Sequence, residues 1–169
     1  MENTIDVLGD AIVFKSLVEK TIESFVDEEL TSIGTYAFES CSNLQSVSLP
    51  NATSIGKAAF YYCINLQSVS FPNATSIGTY VFESCSNLRS VSLPNATSIG
   101  TSAFISCIKL QTLVVGTEKD TVCTLGNSKA IPSNSGLSIY VPDALVDAYK
   151  GATNWSTHAS KIKPISNKP

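Results

Sequence analysis

The sequence predicts a repeat solenoid: a right-handed coil with a parallel β-sheet on one side and short turns or helical turns on the other. Four residue types recur every 22 positions, without insertion, from 31 to 118. The recurring residues are Ile33, Ile55, Ile77 and Ile99; Phe38, Phe60, Phe82 and Phe104; Cys41, Cys63, Cys85 and Cys107; and Leu44, Leu66, Leu88 and Leu110. A 22-residue unit cannot close a core of its own, so each unit must stack on its neighbours. We therefore expect an N-terminal cap at 1–30, four repeats at 31–118 and a C-terminal cap at 119–169.

The bulk composition excludes several functional classes. The chain has 169 residues, a size typical of one domain, and its net charge of −3 argues against nucleic acid as a partner. No run approaches the roughly 18 apolar residues of a transmembrane helix, so we expect no membrane insertion. Residues 1–6 lack the basic start and the unbroken apolar stretch of a secretory signal.

The N-terminal cap is acidic, with eight Asp or Glu and two Lys among residues 1–30. A short helix is predicted from Ala11 to Lys20, because its apolar residues fall on roughly one face. Thr21 to Val26 is predicted to be a first, irregular strand. The acidic residues 27–29 then keep the open sheet edge charged, which discourages further stacking.

One segment of each repeat alternates in the manner of a strand. In the first copy, Val47 and Leu49 are predicted to point inward, whereas Ser46 and Ser48 point outward. Pro50 ends the strand because it has no N–H for the ladder. Successive copies are expected to pair in parallel, with the coils about 4.8 Å apart.

Three further features complete the predicted coil. Thr53 to Ile55 is predicted to be a second short extended piece, and Gly56 is predicted to make the turn after it. Ala59, Phe60 and Cys63 have helical spacing, which predicts one helical turn. The inward columns are Ile, Phe, Cys, Leu, Val and Leu, and each fully buried large apolar side chain contributes roughly 1.5–3 kcal/mol.

The C-terminal cap is predicted to contain a degenerate repeat and a helix. Residues 137–142 are similar to the strand and proline of the repeats, after a looser insertion at 126–136. Asp143 is predicted to cap a helix at about 144–151, and Trp155 and Ile162 are expected to complete the lid. The expected buried stripe of that helix is Ala144, Leu145, Ala148 and Tyr149.

The unit T-S-I-G-x-x-A-F-x-x-C-x-x-L-x-S-V-x-L-P resembles the repeat of BspA-like leucine-rich repeat proteins over about 30–118. The segment Y-V-P-D-A-L-V-D-A-Y-K-x-A-T-N-W-S at 140–156 also resembles the end segment of such proteins in gut bacteria. The resemblance implies a leucine-rich-repeat solenoid that is displayed at a cell surface or secreted and binds host or neighbouring-cell macromolecules. These 169 residues show no export signal or cell-wall anchor motif, and the units have 22 residues where 23 is common.

The cysteine column is the most prominent candidate for chemistry. Zinc needs four ligands around one point, whereas the outer thiols of a stacked column lie about 14 Å apart. No Cys-x-x-Cys is present. We therefore predict that the four repeat cysteines are free thiols that serve as small apolar core residues, and that Cys123 is free as well.

Other candidate reactive residues lack the pattern that their chemistry needs. His158 lies beside Ser156 and Thr157, but no Gly-x-Ser-x-Gly motif occurs, and a triad also needs an orienting acid. Glu28 and Glu29 belong to an acidic run, and the nine glycines form no phosphate loop. We expect no catalytic residue, no metal and no cofactor.

Four N-glycosylation sequons begin at Asn51, Asn73, Asn95 and Asn154. The first three arise from the repeat and count as one observation. In a bacterial protein these asparagines are turn residues that follow a proline. In a secreted eukaryotic protein they become candidate glycosylation sites.

The exposed surface is the remaining candidate for function. Small hydroxyls and scattered tyrosines suit contact with a protein or a glycan, since Tyr offers a large contact area at low entropy cost. The candidate binding residues are Tyr36, Tyr62, Tyr80, Ser46, Ser48, Ser68, Ser70, Ser90 and Ser92.

We favour a non-enzymatic protein-interaction or adhesion module that presents its sheet face to a macromolecular partner at a cell surface. One alternative is a structural spacer or assembly component without a ligand, and another is a glycan-binding surface. A third is an ice-binding array, for which the column of Thr53, Thr75 and Thr97 is the motive. A fourth is an enzyme, which would need a deep pocket between the C-terminal cap and the repeats.

Overall fold

A computed structural model shows the predicted solenoid, and two long sheets run along it. It describes residues 5–8, 11–14 and 22–169. The strands are β1 (Ile5–Leu8), β2 (Ala11–Phe14), β3 (Ser24–Val26), β4 (Ser32–Ile33), β5 (Ser46–Ser48), β6 (Ser54–Ile55), β7 (Ser68–Ser70), β8 (Ser76–Ile77), β9 (Ser90–Leu93), β10 (Ser98–Ile99), β11 (Thr112–Val115), β12 (Thr124–Leu125), β13 (Ser138–Val141) and β14 (Ile162–Pro164). Among the described residues, the first sheet has the order β1-β2-β4-β6-β8-β10-β12 and the second β14-β13-β11-β9-β7-β5-β3.

The pairing register follows the 22-residue frame. Ser46 pairs with Ser68, Ser68 with Ser90, and Ser90 with Thr112, all in parallel. The short extended piece predicted at 53–55 is β6, and its copies build the first sheet. We call the four repeats coil one (31–52), coil two (53–74), coil three (75–96) and coil four (97–118).

The inward columns predicted from the repeat are buried. In the phenylalanine column, ring centroids lie 4.9 Å apart for Phe38 and Phe60, 5.5 Å for Phe60 and Phe82, and 5.2 Å for Phe82 and Phe104. All three pairs are stacked, an arrangement that adds roughly 0.5–1.5 kcal/mol per pair beyond area burial. Since each ring touches the next coil, the core is continuous along the solenoid.

A column of glycines sets how closely the coils approach. A Cβ at Gly78 would lie 2.8 Å from the carbonyl carbon of Gly56, and a Cβ at Gly100 would lie 2.6 Å from that of Gly78. The sequence predicts Gly56 as a turn residue, but Gly116 is the one described glycine with positive φ. Glycine is required at position 56 because a Cβ there would lie 2.7 Å from the carbonyl carbon of Gly34 in coil one. Left-handed geometry is not the reason, since the φ of Gly56 is not positive.

The third side of each coil is a ladder of turns, and the helical turn predicted at 59–63 is wrong. The N–H of Phe60 donates to the carbonyl of Val81, and the N–H of Tyr62 donates to that of Glu83, both at 2.9 Å. In a helix these groups would point back to carbonyls four residues earlier. The apolar spacing of Ala59 and Cys63 reflects burial in the core, where both lie at 0% exposure.

Two positions of each turn adopt left-handed backbone conformation, with φ between 52° and 62°. The geometry costs a residue other than glycine roughly 1–2 kcal/mol. It recurs at the same two places in every coil, so the stacked hydrogen bonds impose it. The residues are Tyr36, Ala58, Tyr80 and Ser102 in one column, and Ser40, Tyr62, Ser84 and Ser106 in the other.

Asparagine and threonine side chains add ladders between coils. The amide Nδ2 of Asn73 donates to the carbonyl of Pro50 at 2.8 Å, and that of Asn95 donates to the carbonyl of Pro72 at 3.0 Å. The hydroxyl of Thr75 donates to the carbonyl of Thr53 at 3.1 Å. These recurrent polar residues therefore join one coil to the next.

The N-terminal end differs from its prediction. The helix predicted to begin at Ala11 is not formed there, because Ala11–Phe14 is β2, which pairs with β1 and β4. Ile, Val and Phe favour extended backbone, and β4 provides hydrogen-bonding partners for it. The rest of that prediction, 15–20, lies outside the described residues. The predicted first strand is observed at Ser24–Val26, paired with β5.

The C-terminal cap continues the second sheet and then covers its end. β13 pairs with β11, and β14 pairs with β13. A 3₁₀ turn at Asp143–Leu145 leads into helix α1 (Val146–Gly151). Trp155 and Ile162 are buried at 1% and 4% exposure, as predicted for the lid.

Two details of the predicted cap helix are wrong. Asp143 makes no capping hydrogen bond to the helix, and its Oδ1 instead accepts the N–H of Ser166 at 3.1 Å. Of the predicted stripe, Tyr149 is buried and Leu145 half-buried, whereas Ala144 and Ala148 are exposed. The helix is only six residues long, and Tyr149 is its one buried residue.

Candidate functional site

The candidate surface residues lie on two different sides of the coil. The serines belong to the second sheet, where Ser68 and Ser70 are exposed and Val69 between them is buried. Tyr36 and Tyr80 lie on the turn ladder, 45% and 36% exposed. The structure therefore does not combine the serines and tyrosines into one surface.

We call the outer side of the second sheet, which carries these serines, the serine face. It is narrow, since strands β7 and β9 each expose only two serines, such as Ser68 and Ser70 of β7. Toward the C-terminal end the face loses its exposed serines, because Val114 and Tyr140, which pair in register with Ser92, are buried. Lys163 donates from Nζ to Ser138 Oγ at 2.9 Å beside them.

The turn ladder contains a groove centred on coil two, which we call the coil-two groove. Ala58, 2% exposed, lies between Tyr36 of coil one and Tyr80 of coil three in the same turn column. Because this side chain is small, the groove lies between the aromatic residues of its two neighbours, and Ala58 forms its nearly covered floor. The lining residues are Tyr36, Glu39, Lys57, Ala58, Tyr61, Tyr80 and Glu83.

The groove is acidic overall, with two carboxylates and one ammonium group. The Nζ of Lys57 lies 6.0 Å from the ring centroid of Tyr36, at the edge of cation–π distance. Burial raises the pKa of the Glu83 carboxyl, and burial together with the charge of Glu83 raises the pKa of Tyr61. The phenol of Tyr61 therefore stays neutral, and it occupies the position that Glu39 and Glu83 occupy in the two neighbouring coils.

The backbone of the groove is held from both sides. The N–H of Tyr36 donates to the carbonyl of Lys57 at 3.0 Å, and the N–H of Ala58 donates to that of Thr79 at 2.8 Å. The N–H of Tyr80 in turn donates to the carbonyl of Thr101 at 3.0 Å. The tyrosines therefore stand on a preorganised frame rather than on a free loop.

Analysis of the sequence did not single out four of the lining residues as candidates for binding: Glu39, Lys57, Ala58 and Glu83. The signal that could have found them is the set of variable positions in T-S-I-G-x-x-A-F-x-x-C. Positions that vary from coil to coil, beside columns that are constant, do not belong to the shared core. Tyr62 occupies another such position, 47% exposed, and its ring packs 4.7 Å from Tyr61.

The cysteine column is buried, and none of its four members forms a disulfide. The Sγ of Cys63 donates to the carbonyl of Phe38 at 3.0 Å, and that of Cys85 to the carbonyl of Phe60 at 3.1 Å. Burial raises the pKa of Cys85 well above its usual value and that of Cys107 to about 12. The thiols are therefore protonated donors to coil carbonyls, a role beyond that of small apolar residues.

A small cavity lies within the C-terminal cap, between the segment of Cys123 and Thr124 and that of Ala152 and Trp155. Burial raises the pKa of the Cys123 thiol to about 12, so it remains protonated at neutral pH. The lining holds no histidine or carboxylate that could activate that thiol. In the described part of the chain, no group of three or more His, Cys, Asp or Glu is arranged to hold a metal ion.

The imidazole of His158 is buried and hydrogen-bonded to the backbone. It is 4% exposed, and its Nε2–H donates to the carbonyl of Ser128 at 2.9 Å. Burial lowers the pKa of the imidazole, and Lys161 lowers it further against the opposing effect of this hydrogen bond. The histidine therefore ties the cap to the segment after coil four in its neutral form.

The sequons and the threonine column are also engaged in coil contacts. Asn51 donates from Nδ2 to the carbonyl of Glu28 at 2.6 Å, and Asn154 donates to that of Leu125 at 2.6 Å. A glycan on either amide would leave one of its two hydrogens for this contact. The hydroxyl of Thr97 likewise donates to the carbonyl of Thr75 at 3.0 Å, which leaves it less available to order water.

None of the helices within the described residues has the length and apolar character that crossing a membrane requires.

Comparison with known proteins gives a consistent result. A family model described as "BspA type Leucine rich repeat region (6 copies)" matches residues 12–128. The match extends past the four regular repeats at both ends. It spans the strands of the first sheet that pair in parallel, from β2 to β12. Among curated proteins, no sequence matches the chain.

Three solved structures illustrate the fold similarity. The T. pallidum leucine rich repeat protein TpLRR is 26% identical with a TM-score of 0.64, over 79% of this chain and 64% of that one. A leucine-rich repeat protein from Bacteroides ovatus is 20% identical with a TM-score of 0.63, over 82% of this chain and 39% of that one. A leucine rich cell surface protein from Faecalibacterium prausnitzii is 22% identical with a TM-score of 0.58, over 78% of this chain and 38% of that one. The chain thus spans less than two thirds of each of these proteins.

Proposed function

Because the chain belongs to the BspA-type leucine-rich repeat family, we propose that it is a non-enzymatic module that binds a protein partner at a cell surface, through the coil-two groove. This moves the expected contact surface from the sheet face to the turn ladder. The serine face remains the alternative surface.

The observation that carries this proposal is the concentration of exposed tyrosine around one coil. Tyr36, Tyr62 and Tyr80 are 36–47% exposed. Tyr36 and Tyr80 line a concave, acidic surface, and the ring of Tyr62 packs against Tyr61, which also lines it. Tyrosine is enriched in protein interfaces and dominates their binding energy where it enters a pocket. The serine face offers no comparable anchor, since its side chains are small and neutral.

The rigidity of the groove also supports a binding role. Its left-handed turns are held by backbone hydrogen bonds to the next coil, so few backbone torsions need ordering on association. Preorganisation of this kind raises affinity by lowering the entropy cost of binding. The protonated, buried thiols support a role without covalent chemistry.

An array of extracellular proteins and glycans tests the proposal. The folded chain should give a saturable signal on protein features, and Tyr36→Ser combined with Tyr80→Ser should abolish it. Serine already occupies this turn column at Ser102 with φ of 53°, so the variant should fold. Ser68→Ala combined with Ser70→Ala, on the serine face, is the matched control.

The other outcomes identify the alternatives. Saturable signals on glycans alone would replace the protein partner by a carbohydrate. Loss of binding in the serine-face control, with full binding by the tyrosine variant, would return the contact to the sheet. No signal from a well-folded sample would favour a structural spacer.

A further inference from the structure

We propose that the coil-two groove recognises two arginine side chains, three residues apart, on an extended segment of the protein partner. This inference rests on the proposed function above. It is drawn from a repeat within the groove itself, in which the same pair of side chains occurs twice.

The two walls of the groove are copies of one half-site. Coil one carries Tyr36 and Glu39, and coil three carries Tyr80 and Glu83 at the same positions. Coil two has Ala58 and Tyr61 there instead, so the two half-sites remain separate and face one gap. Two coil steps place equivalent atoms of the half-sites about 10 Å apart.

Each half-site has the chemistry that a guanidinium group needs. A planar cation stacks on the face of a tyrosine ring, and its fork of N–H donors pairs with a carboxylate. Lys57 lies near one of these rings, with its Nζ 6.0 Å from the centroid of Tyr36. Lys57 therefore already marks that ring as accessible to a cation, and a bound arginine would displace its flexible side chain.

Charge complementarity favours a basic ligand over a sugar or an acidic peptide. The lining holds Glu39 and Glu83 against Lys57 alone, so the groove is net negative. Part of this negative charge is desolvated, because Glu83 is only half-exposed. A cation that pairs with Glu83 would offset the cost of that desolvation.

The spacing of the half-sites selects the backbone of the ligand. A polyproline II segment has three residues per turn and a rise of about 3.1 Å per residue, so residues i and i+3 lie on one face about 9 Å apart. This separation is close to two coil steps. In a β-strand the residues i and i+3 point to opposite faces, which would remove one arginine from the groove.

Fluorescence anisotropy with the full chain tests the proposal, with fluorescein-Gly-Arg-Pro-Pro-Arg-amide as the probe. Saturable binding at low ionic strength is expected. Replacing both arginines by citrulline, which keeps the shape and removes the charge, should weaken binding at least tenfold. Moving the arginines next to each other, as in Arg-Arg-Pro-Pro, should weaken it at least threefold.

Variants of the chain show whether the peptide binds in the coil-two groove. Ala58→Tyr restores the residue that coils one and three carry at the same left-handed position, so it should fold, fill the gap and weaken binding at least tenfold. Glu39→Gln and Glu83→Gln should each weaken binding about threefold to fivefold. Glu118→Gln, which removes an exposed carboxylate outside the groove, should leave the affinity unchanged.

Equal affinity for the arginine and citrulline peptides, equal affinity for both arginine spacings, or full binding by Ala58→Tyr would each overturn the proposal. The proposed function fails separately. If the array signal is lost in the tyrosine variant but persists when Glu39→Gln and Glu83→Gln are combined, the chain is a protein-binding module whose partner does not use arginine.

Discussion

The indole Nε1–H of Trp155 donates a 2.7 Å hydrogen bond to the carbonyl oxygen of Cys123, and this contact joins the segment after helix α1 to the residue that precedes strand β12. From the same side, the hydroxyl of Tyr149 accepts the N–H of Cys123 at 2.9 Å. The two rings pack edge to face with centroids 5.2 Å apart. The backbone N–H and C=O of Cys123 are thus both paired by aromatic residues from later in the chain.

Replacing the indole of Trp155 tests how much its hydrogen bond to Cys123 contributes to stability. Trp155→Phe keeps an aromatic ring but leaves the Cys123 carbonyl without its donor. The free energy of unfolding should fall by about 1–3 kcal/mol, the usual cost of a buried unpaired polar group. Urea unfolding measures this, with Tyr62→Phe on the surface as a control. A loss below 0.5 kcal/mol, the range typical of surface changes, would show that this hydrogen bond adds little.

The glycine column gives a second prediction. Gly78→Ala should destabilise the fold by at least about 1–3 kcal/mol, as overpacking does, because its Cβ would lie 2.8 Å from backbone atoms of coil two that cannot rotate away. Gly136→Ala is the matched control, since nothing lies within 4 Å of its Cβ. Thermal or urea unfolding of both variants decides the point. Equal stability of the two would mean that the coils separate at little cost.

The left-handed turns predict a change that stabilises the fold. Ser84 has φ of 61°, so Ser84→Gly should raise the free energy of unfolding by about 1 kcal/mol as the steric penalty disappears. Ser90→Gly, in strand β9, should lower it by about 0.5–1 kcal/mol because glycine weakens a strand. If both changes proved destabilising, the strain assigned to the turn would be absent.

The thiol column predicts low reactivity. At pH 8 a disulfide reagent should modify none of the five cysteines of the native chain within minutes, and all five after unfolding in guanidinium. The reason is that burial raises the pKa values of Cys107 and Cys123 to about 12, and the thiolate is the nucleophile. Rapid native labelling of one site, located by mass spectrometry, would contradict this assignment for that cysteine.

The raised pKa values of Cys107 and Cys123 also predict a loss of stability at alkaline pH. Below pH about 8.5 these thiols are protonated in both states, and their contribution is fully present. Above that value the unfolded chain loses protons that the folded chain keeps, so stability falls as the pH rises toward about 12. Cys107→Ala should flatten the decline. An unchanged slope in that variant would assign the decline to other groups, including Tyr149, whose pKa burial also raises to about 12.

His158 gives the corresponding prediction in acid. Because burial lowers its pKa, its contribution is present above pH about 6.5 and is lost as the pH falls and the unfolded state gains the proton first. Unfolding experiments between pH 7 and pH 5 should show a steeper decline for the natural chain than for His158→Gln. Glutamine retains a donor for the Ser128 carbonyl but does not titrate. Parallel curves would remove the histidine as the cause.

The two wrong helix predictions have one physical origin. Ala59, Phe60 and Cys63 have the spacing of a helical turn, but the N–H of Phe60 bonds to the next coil. Ala11–Phe14 likewise pairs with β4, about twenty residues further along the chain. In both places, hydrogen-bonding partners far along the chain override a local pattern, and no local pattern reports them.

The repeat spacing alone determines which residues share the core, because a constant 22-residue frame brings every equivalent side chain to the same place in the coil. It predicts the inward columns, the parallel pairing and a column of cysteines that form no disulfide. The tertiary structure alone decides the close backbone contact at Gly78 and the gap at Ala58. Both depend on the width and direction of a turn whose hydrogen bonds run between coils, so residues 22 positions apart become neighbours only after the coils have stacked.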